Sequence, residues 1–222
     1  MTLFNPDPTI QLVPIPGYQP CIVIDDFLQN PQSLVDTAIA QRDQFSPGSK
    51  NAFPGPELRM PEEFSAQVNT FFIQHVRKLL DVRRSLSMYS RLSIITLQPH
   101  ELAPNQCVCH RDRLPDHPQF FYGACVLYLF KNTAMGGTSF YAPKLGTENF
   151  PAGFGKAQNY ITESTEDFDL LCTIPARWNR VIFYDGTIFH SAHIRNPELL
   201  DADPAKGRLT LNGFFTCRKS EQ

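Results

Sequence analysis

The chain has 222 residues, a formal net charge of −2, and 19 prolines against 12 glycines. This length suits a single domain with room for one sizeable core, and the charge offers no basic excess to recommend nucleic acid or an anionic membrane as partner. Nowhere do 18 apolar residues run together, and Met1 to Ile10 has neither a basic n-region nor an apolar h-region, so a cytoplasmic protein acting on a small-molecule or peptide-like substrate is expected.

Six cysteines, Cys21, Cys107, Cys109, Cys125, Cys172 and Cys217, read as reduced thiols, because no secretory signal accompanies them and Cys125 and Cys172 lie in apolar strand-like runs. The close pair Cys107 and Cys109 lacks the second knuckle that structural zinc requires.

In chain order, Cys21 to Phe27 is a short buried strand, and Asn30-Pro31 starts a first helix that runs to about Arg42 with Leu34, Val35, Ala38 and Ile39 on its apolar face. Phe45 to Pro61, with Pro47, Gly48, Pro54, Gly55 and Pro56, is loop chemistry. A second helix follows, in which Phe64, Val68, Phe71, Phe72, His75, Val76, Leu79 and Leu80 recur at helical spacing, with Glu62 and Glu63 at its positive end. His75 on that stripe reads as a core or boundary residue.

Strands take over after Arg84. Met88 to Gln98 is extended, and the almost wholly apolar Phe120 to Phe130 suits a central strand buried on both faces. Gly136-Gly137 turns the chain into a short strand at Thr138 to Tyr141, and residues 143–165 read as an inserted loop suited to substrate contacts. Trp178 to Tyr184, Thr187 to Ile194 and Arg208 to Thr216 supply three more strands. Two helices followed by many short strands predict a mainly β fold, a double-stranded β-helix (jelly roll) with two supporting amino-terminal α-helices. The expected division is one domain over 1–222, with a helical buttress at 1–85 and the β-roll core at 86–217.

The chemistry concentrates at His110-Arg111-Asp112. Two positions apart on extended backbone, an imidazole and a carboxylate point to one side and can grip one ion while Arg111 faces away. A second imidazole from a distant strand completes a two-histidine, one-carboxylate set with open positions, which suits non-heme iron(II). Arg208, Thr210 and Asn212 share one face of the last strand, interleaved with Leu209 and Leu211. By itself that is a solvated polar face.

The order of these pieces is more specific than any one of them. His110-x-Asp112, the strand ending Val126-Leu127-Tyr128-Leu129, the turn Gly136-Gly137-Thr138, Asn179-Arg180-Val181-Ile182-Phe183, His190 and Arg208-Leu209-Thr210 together resemble the iron(II)/2-oxoglutarate-dependent dioxygenases, in particular the prolyl-hydroxylase-like branch. The resemblance implies His110, Asp112 and His190 as the catalytic metal ligands. His193 competes for the third position, but His190 stands seven positions after Phe183 and precedes a small Ser191, as in many relatives, and strand alternation sends His193 to the opposite face. It also implies that Arg208, with Thr210, binds the distal carboxylate of 2-oxoglutarate by parallel charge-assisted hydrogen bonds. Tyr128 matches a tyrosine that reaches that carboxylate in some relatives, and equally suits a core aromatic with a satisfied hydroxyl. The gap from His190 to Arg208 is longer than in many relatives, with Asn196 to Lys206 as an inserted loop.

The implied activity is a hydroxylase that uses iron(II), 2-oxoglutarate and O2 and releases succinate and CO2. The carboxylate of Asp112, where related halogenases carry a small residue, favours hydroxylation. Two rivals stand beside this reading: a non-catalytic module on the same roll, and a cupin-like metal protein without cosubstrate, for which no paired His-x-His run is present. His110-Arg111-Asp112 also imitates a kinase catalytic loop, without the glycine-rich phosphate loop that kinases need.

Overall fold

The computed structural model describes residues 3–48, 53–114, 117–144 and 159–220. Eleven strands run through them in chain order: β1 (Ile10–Val13), β2 (Cys21–Ile24), β3 (Ser46–Pro47), β4 (Pro56–Arg59), β5 (Val82–Ile95), β6 (Phe120–Tyr128), β7 (Thr138–Pro143), β8 (Phe168–Ile174), β9 (Val181–Asp185), β10 (Phe189–Ala192) and β11 (Arg208–Lys219). Two α-helices, α1 (Gln32–Ala40) and α2 (Glu62–Phe71), lie between the early strands. The large sheet has the order β1-β2-β9-β6-β11-β5-β4-β3, and a small one has the order β10-β7-β8. Every pairing is antiparallel. The fold is mainly β, and two facing antiparallel sheets are the arrangement of a jelly roll.

Alternation along β6, β9 and β11 builds two cores. Cys125, Leu127, Phe183, Leu211 and Phe215 point toward the helices and pack with Val68, Phe71 and Phe72. Ala124, Tyr128, Ile182 and Tyr184 point the other way and meet Phe140 and Ile174 of the small sheet. A strand with both faces covered must be apolar throughout, which is why β6 reads as a near-continuous apolar run. The face toward the small sheet is the floor of the functional cavity.

Several elements depart from the sequence reading. The proline-rich stretch 45–61 contains strands as well as loop, because Pro47 and Pro56 pair with each other at the outer edge of the large sheet. There a missing N–H interrupts no ladder. Four of the eight strands in that sheet thus come from before residue 60, and β5 begins at Val82 rather than at Met88. The second helix changes character after Phe71 into a π turn (Phe72–Val76) and a 3-10 turn (Arg77–Leu80), ending at Asp81 with φ 51°. The widened turn brings two consecutive phenylalanines to the sheet, Phe71 against Phe27 at 4.8 Å and Phe72 against Phe215 at 4.3 Å. Asn30 gives α1 no side-chain cap; Pro31 occupies the N-cap position. β8 is visible in the sequence only as a strand-like run around Cys172. Of the loop read at residues 143–165, positions 145–158, including Phe150 and Phe154, lie outside the described residues.

A partly buried clamp joins the start of β9 to the segment after β2. Arg180 donates through Nε and Nη2 to both carboxylate oxygens of Asp25 at 2.7 and 2.9 Å, and through Nη1 to the Pro175 carbonyl. Beside it Asn179, at φ 61°, uses its side chain to accept from the Leu28 N–H and donate to the Leu28 carbonyl, both at 2.9 Å. Asparagine tolerates this left-handed conformation better than most residues.

Candidate metal centre and its cavity

His110 and His190 meet across an isolated antiparallel bridge next to the small sheet, and two residues on, the Asp112 N–H donates to the Gly186 carbonyl at 2.9 Å. The backbone therefore delivers all three side chains to one point. His190 Nε2 stands 3.6 Å from Asp112 Oδ2, and His110 Nε2 stands 3.9 Å from Asp112 Oδ1. All three ligand atoms lie within 4.8 Å of one another.

Each side chain is in the state a metal requires. The Nδ1 of His190 faces the Ile188 carbonyl at 2.8 Å; a carbonyl only accepts, so Nδ1 carries the proton and Nε2 offers its lone pair. Burial pushes the His190 imidazole down to about 4, which keeps it neutral. Loss of solvent at the cavity wall, and then the neighbouring His190, lower His110 as well. Burial pushes the Asp112 carboxyl up to about 6. Asp112 Oδ2 is buried without a hydrogen-bond partner, and an orphaned carboxylate oxygen is costly unless something cationic answers it. The residues fit a divalent ion with nitrogen and oxygen ligands.

His193 lies outside this cluster, with its Nδ1 2.8 Å from the Ser139 hydroxyl. His75 packs against Phe71 with the rings tilted by 34°, and His117 sits edge-on to Phe120.

One cavity is lined by His110, Asp112 and His190 together with Thr138, Tyr184, Arg208 and Thr210. Arg208 is 3% exposed. It donates from Nε to the Met135 carbonyl at 3.1 Å and from Nη2 to the Gly137 carbonyl at 2.8 Å, and its guanidinium lies 5.4 Å from the Phe130 ring centre. Among the described residues no carboxylate pairs with it. Burial alone lowers its pKa to about 10. A desolvated cation with only neutral partners is a poor contributor to stability and a strong binding site for an anion. Thr210 is buried beside it, its hydroxyl 3.4 Å from the Ser93 carbonyl. The polar face of β11 is thus interior rather than solvated.

Tyr128 is fully buried, and its hydroxyl is 2.8 Å from that of Thr138. Thr138, rather than Tyr128, lines the cavity. Asn212, already marked on the polar face of the last strand, and Thr138, from the turn Gly136-Gly137-Thr138, line the cavity too, while Arg91 and Gly186 contribute to this site without having been singled out in the sequence. An arginine three residues before the apolar pair Ile94-Ile95 at the end of the strand was the available signal for Arg91. A Cβ on Gly186 would come within 2.9 Å of Asp112 Oδ2, a constraint that no local pattern announces.

The family model described as "Family of unknown function (DUF6445)" matches residues 6–150 and 147–215. No curated protein matches the chain in sequence. Among solved structures, the non-heme alpha ketoglutarate dependent carbocyclase SnoK from nogalamycin biosynthesis is similar at TM-score 0.52 and 12% identity, over 92% of this chain and 81% of that one. The non-heme alpha ketoglutarate dependent epimerase SnoN from the same biosynthesis is similar at TM-score 0.51 and 11% identity, over 90% and 81%. A Pseudomonas putida prolyl-4-hydroxylase stands at TM-score 0.42 and 16% identity, over 93% and 90%. The fold is that of the iron/2-oxoglutarate-dependent oxygenases, and the chain belongs to DUF6445, a family of unknown function.

Proposed function

We propose that this protein is an iron(II)/2-oxoglutarate-dependent oxygenase that hydroxylates a small-molecule or peptide-like substrate. The observation that carries this reading is Arg208, a buried guanidinium with no carboxylate partner among the described residues, in the wall of the same cavity as the His–Asp–His cluster. In this reading His110, Asp112 and His190 hold the metal, and Arg208 receives the distal carboxylate of 2-oxoglutarate, with Thr210 as a further donor. Tyr128 acts through Thr138, orienting the hydroxyl that the cavity presents. The whole of 1–222 is taken as one jelly-roll unit, with α1 and α2 as its outer support.

Iron(II) and 2-oxoglutarate, when bound with O2, supply the oxidising power for attack on an unactivated C–H bond, with succinate and CO2 as coproducts. The chain's own contribution is positional. The Ile188 carbonyl fixes the His190 tautomer, the bridge between His110 and His190 fixes their separation, and Gly186 leaves room for the Asp112 carboxylate. Tyr184, with its ring 4.9 Å from that of His190, walls that side of the centre with an apolar surface.

The test is succinate formation from 2-oxoglutarate with iron(II) under air, with and without a metabolite panel, alongside calorimetric titration of 2-oxoglutarate into nickel-loaded protein. Binding and substrate-stimulated succinate support the oxygenase. Metal binding without 2-oxoglutarate binding overturns it in favour of a metal-binding roll without this cosubstrate.

A further inference from the structure

The cavity face of the large sheet carries a second cationic group away from Arg208. Strand register sets Arg59 of β4 directly opposite Arg91 of β5, and Arg91 directly opposite Asn212 of β11, so the three form one row across three strands. Directly opposed side chains on neighbouring strands are close enough that like charges repel. Glu57, two residues back along β4, accepts from Arg91 Nη1 at 2.7 Å, while Arg59 makes no ion pair with any described residue. The Nε of Arg91 is buried without a hydrogen-bond acceptor. Asn212 is 8% exposed, and its amide makes no hydrogen bond with a described residue.

The two guanidinium groups are held in place by aromatic rings. Arg59 lies 4.1 Å from the Tyr89 ring centre and Arg91 lies 4.8 Å from that of Phe214, and these two rings stack at 4.9 Å. An arginine laid on a ring keeps its N–H groups available for a carboxylate or phosphate and loses less freedom when one binds. Arg91, Asn212, Phe53 and Phe214 all line the cavity of the metal cluster. Asn212 stands four positions beyond Arg208 on β11, roughly 13 Å of extended strand. A five-carbon dicarboxylate does not span that distance. The row therefore serves a different ligand from the one Arg208 takes.

We propose that Arg91, assisted by Arg59 and Asn212, anchors a carboxylate or phosphate group of the primary substrate, whose apolar body lies against Phe53 and Phe214. The substrate class is a small organic anion, and as a statement about the oxygenase's substrate this rests on the reading given above.

The experiment uses full-length protein loaded with nickel(II) and 2-oxoglutarate, which fills the Arg208 end, and measures phenylacetate, phenyl phosphate and neutral phenylacetamide by calorimetry. At least one anion binds tenfold or more tightly than the amide, and the tighter anion tells carboxylate from phosphate. R91Q reduces anion binding to the level of the amide; R59Q, whose side chain is exposed, weakens the anion at least threefold and carries the test if R91Q melts early. Equal binding of anion and amide, no anion binding, or anion binding undiminished in a folded variant overturns the proposal. Failure of wild-type protein to take 2-oxoglutarate sinks the oxygenase reading instead, and the same titrations on protein without cosubstrate still decide the role of Arg91.

Discussion

His110 and His190 exchange both backbone hydrogen bonds, each N–H donating to the other's carbonyl at 2.9 Å. Their imidazoles are thus positioned by main chain rather than by an ion, and the cluster is preorganised. Metal then stabilises the native state by simple mass action. At a metal concentration about 100 times Kd the gain is about 2.7 kcal/mol, a melting-temperature rise on the order of 5–10 °C for a chain of this size. Asp112→Asn is expected to weaken metal binding by about two orders of magnitude, as loss of a charged ligand does. The metal-free variant melts no lower than metal-free wild type, because the carboxylate oxygen it replaces has no hydrogen bond to lose. Thermal melts with and without manganese(II) or nickel(II) check both statements.

Arg208 separates stability from binding in the same way. Arg208→Met removes a buried charge, which favours the unliganded fold, but it takes the side-chain donor from the Met135 carbonyl and leaves the Gly137 carbonyl with only the His193 N–H. The two effects oppose each other, so the unfolding free energy changes by no more than about 2 kcal/mol. Affinity for 2-oxoglutarate falls by about 3–4 kcal/mol, two to three orders of magnitude in Kd. Denaturant melts and calorimetry on one preparation measure both. A variant that loses several kcal/mol of stability while still binding 2-oxoglutarate normally would make Arg208 a structural residue.

The clamp between Asp25 and Arg180 sets a pH dependence well away from the cavity. Hydrogen bonding to Arg180 holds the Asp25 carboxyl below its ordinary value. A depressed carboxyl contributes stability that is full above its unfolded pKa, about 3.9, and is lost as the pH falls through the lower folded value. Asp25→Asn is expected to cost about 2 kcal/mol at pH 7, the usual loss for hydrogen bonds to a charged group. The gap between wild type and variant holds steady from pH 8 to pH 5 and closes below about pH 4. Urea melts across that range measure it, and a gap that widens in acid would contradict the assignment.

The parts of the site that were legible in sequence are those set by local geometry. His110 and Asp112 fall two residues apart, and the alternation of Arg208, Thr210 and Asn212 with Leu209 and Leu211 marked one polar face. Whether that face met solvent or the interior was not local information; it depends on the small sheet closing over β11. The row of Arg59, Arg91 and Asn212 comes from register between strands distant in the chain, and no single segment encodes it. The early half of β5 was missed because Arg83, Arg84, Ser85 and Ser87 hide the strand period behind polar residues. The edge pair at Pro47 and Pro56 was missed because proline argues against a strand everywhere except at an unpaired border.

Gly186 offers the sharpest test of how tightly the carboxylate is held. Its N–H donates to the Tyr122 carbonyl at 2.7 Å and its carbonyl accepts from Asp112, so the residue is fixed on both sides. A Cβ there would meet Asp112 Oδ2 at 2.9 Å and the Tyr122 carbonyl oxygen at 3.1 Å. The carboxylate is the softer of these two neighbours, and it turns away. Gly186→Ala is therefore expected to weaken metal binding about tenfold or more while costing the metal-free protein only about 1–2 kcal/mol, at the low end of overpacking penalties. Gly136→Ala provides the contrast: with φ 83° and a Cβ position 1.6 Å from the His193 carbonyl oxygen, it forces the backbone itself to move. That variant loses stability by several kcal/mol, on the order of the largest single-site effects, whether or not metal is present. Metal titrations and melts of the two alanine variants, run side by side, distinguish a displaced ligand from a displaced chain. Equal metal affinity in Gly186→Ala and wild type would mean that the Asp112 carboxylate has other room to lie in.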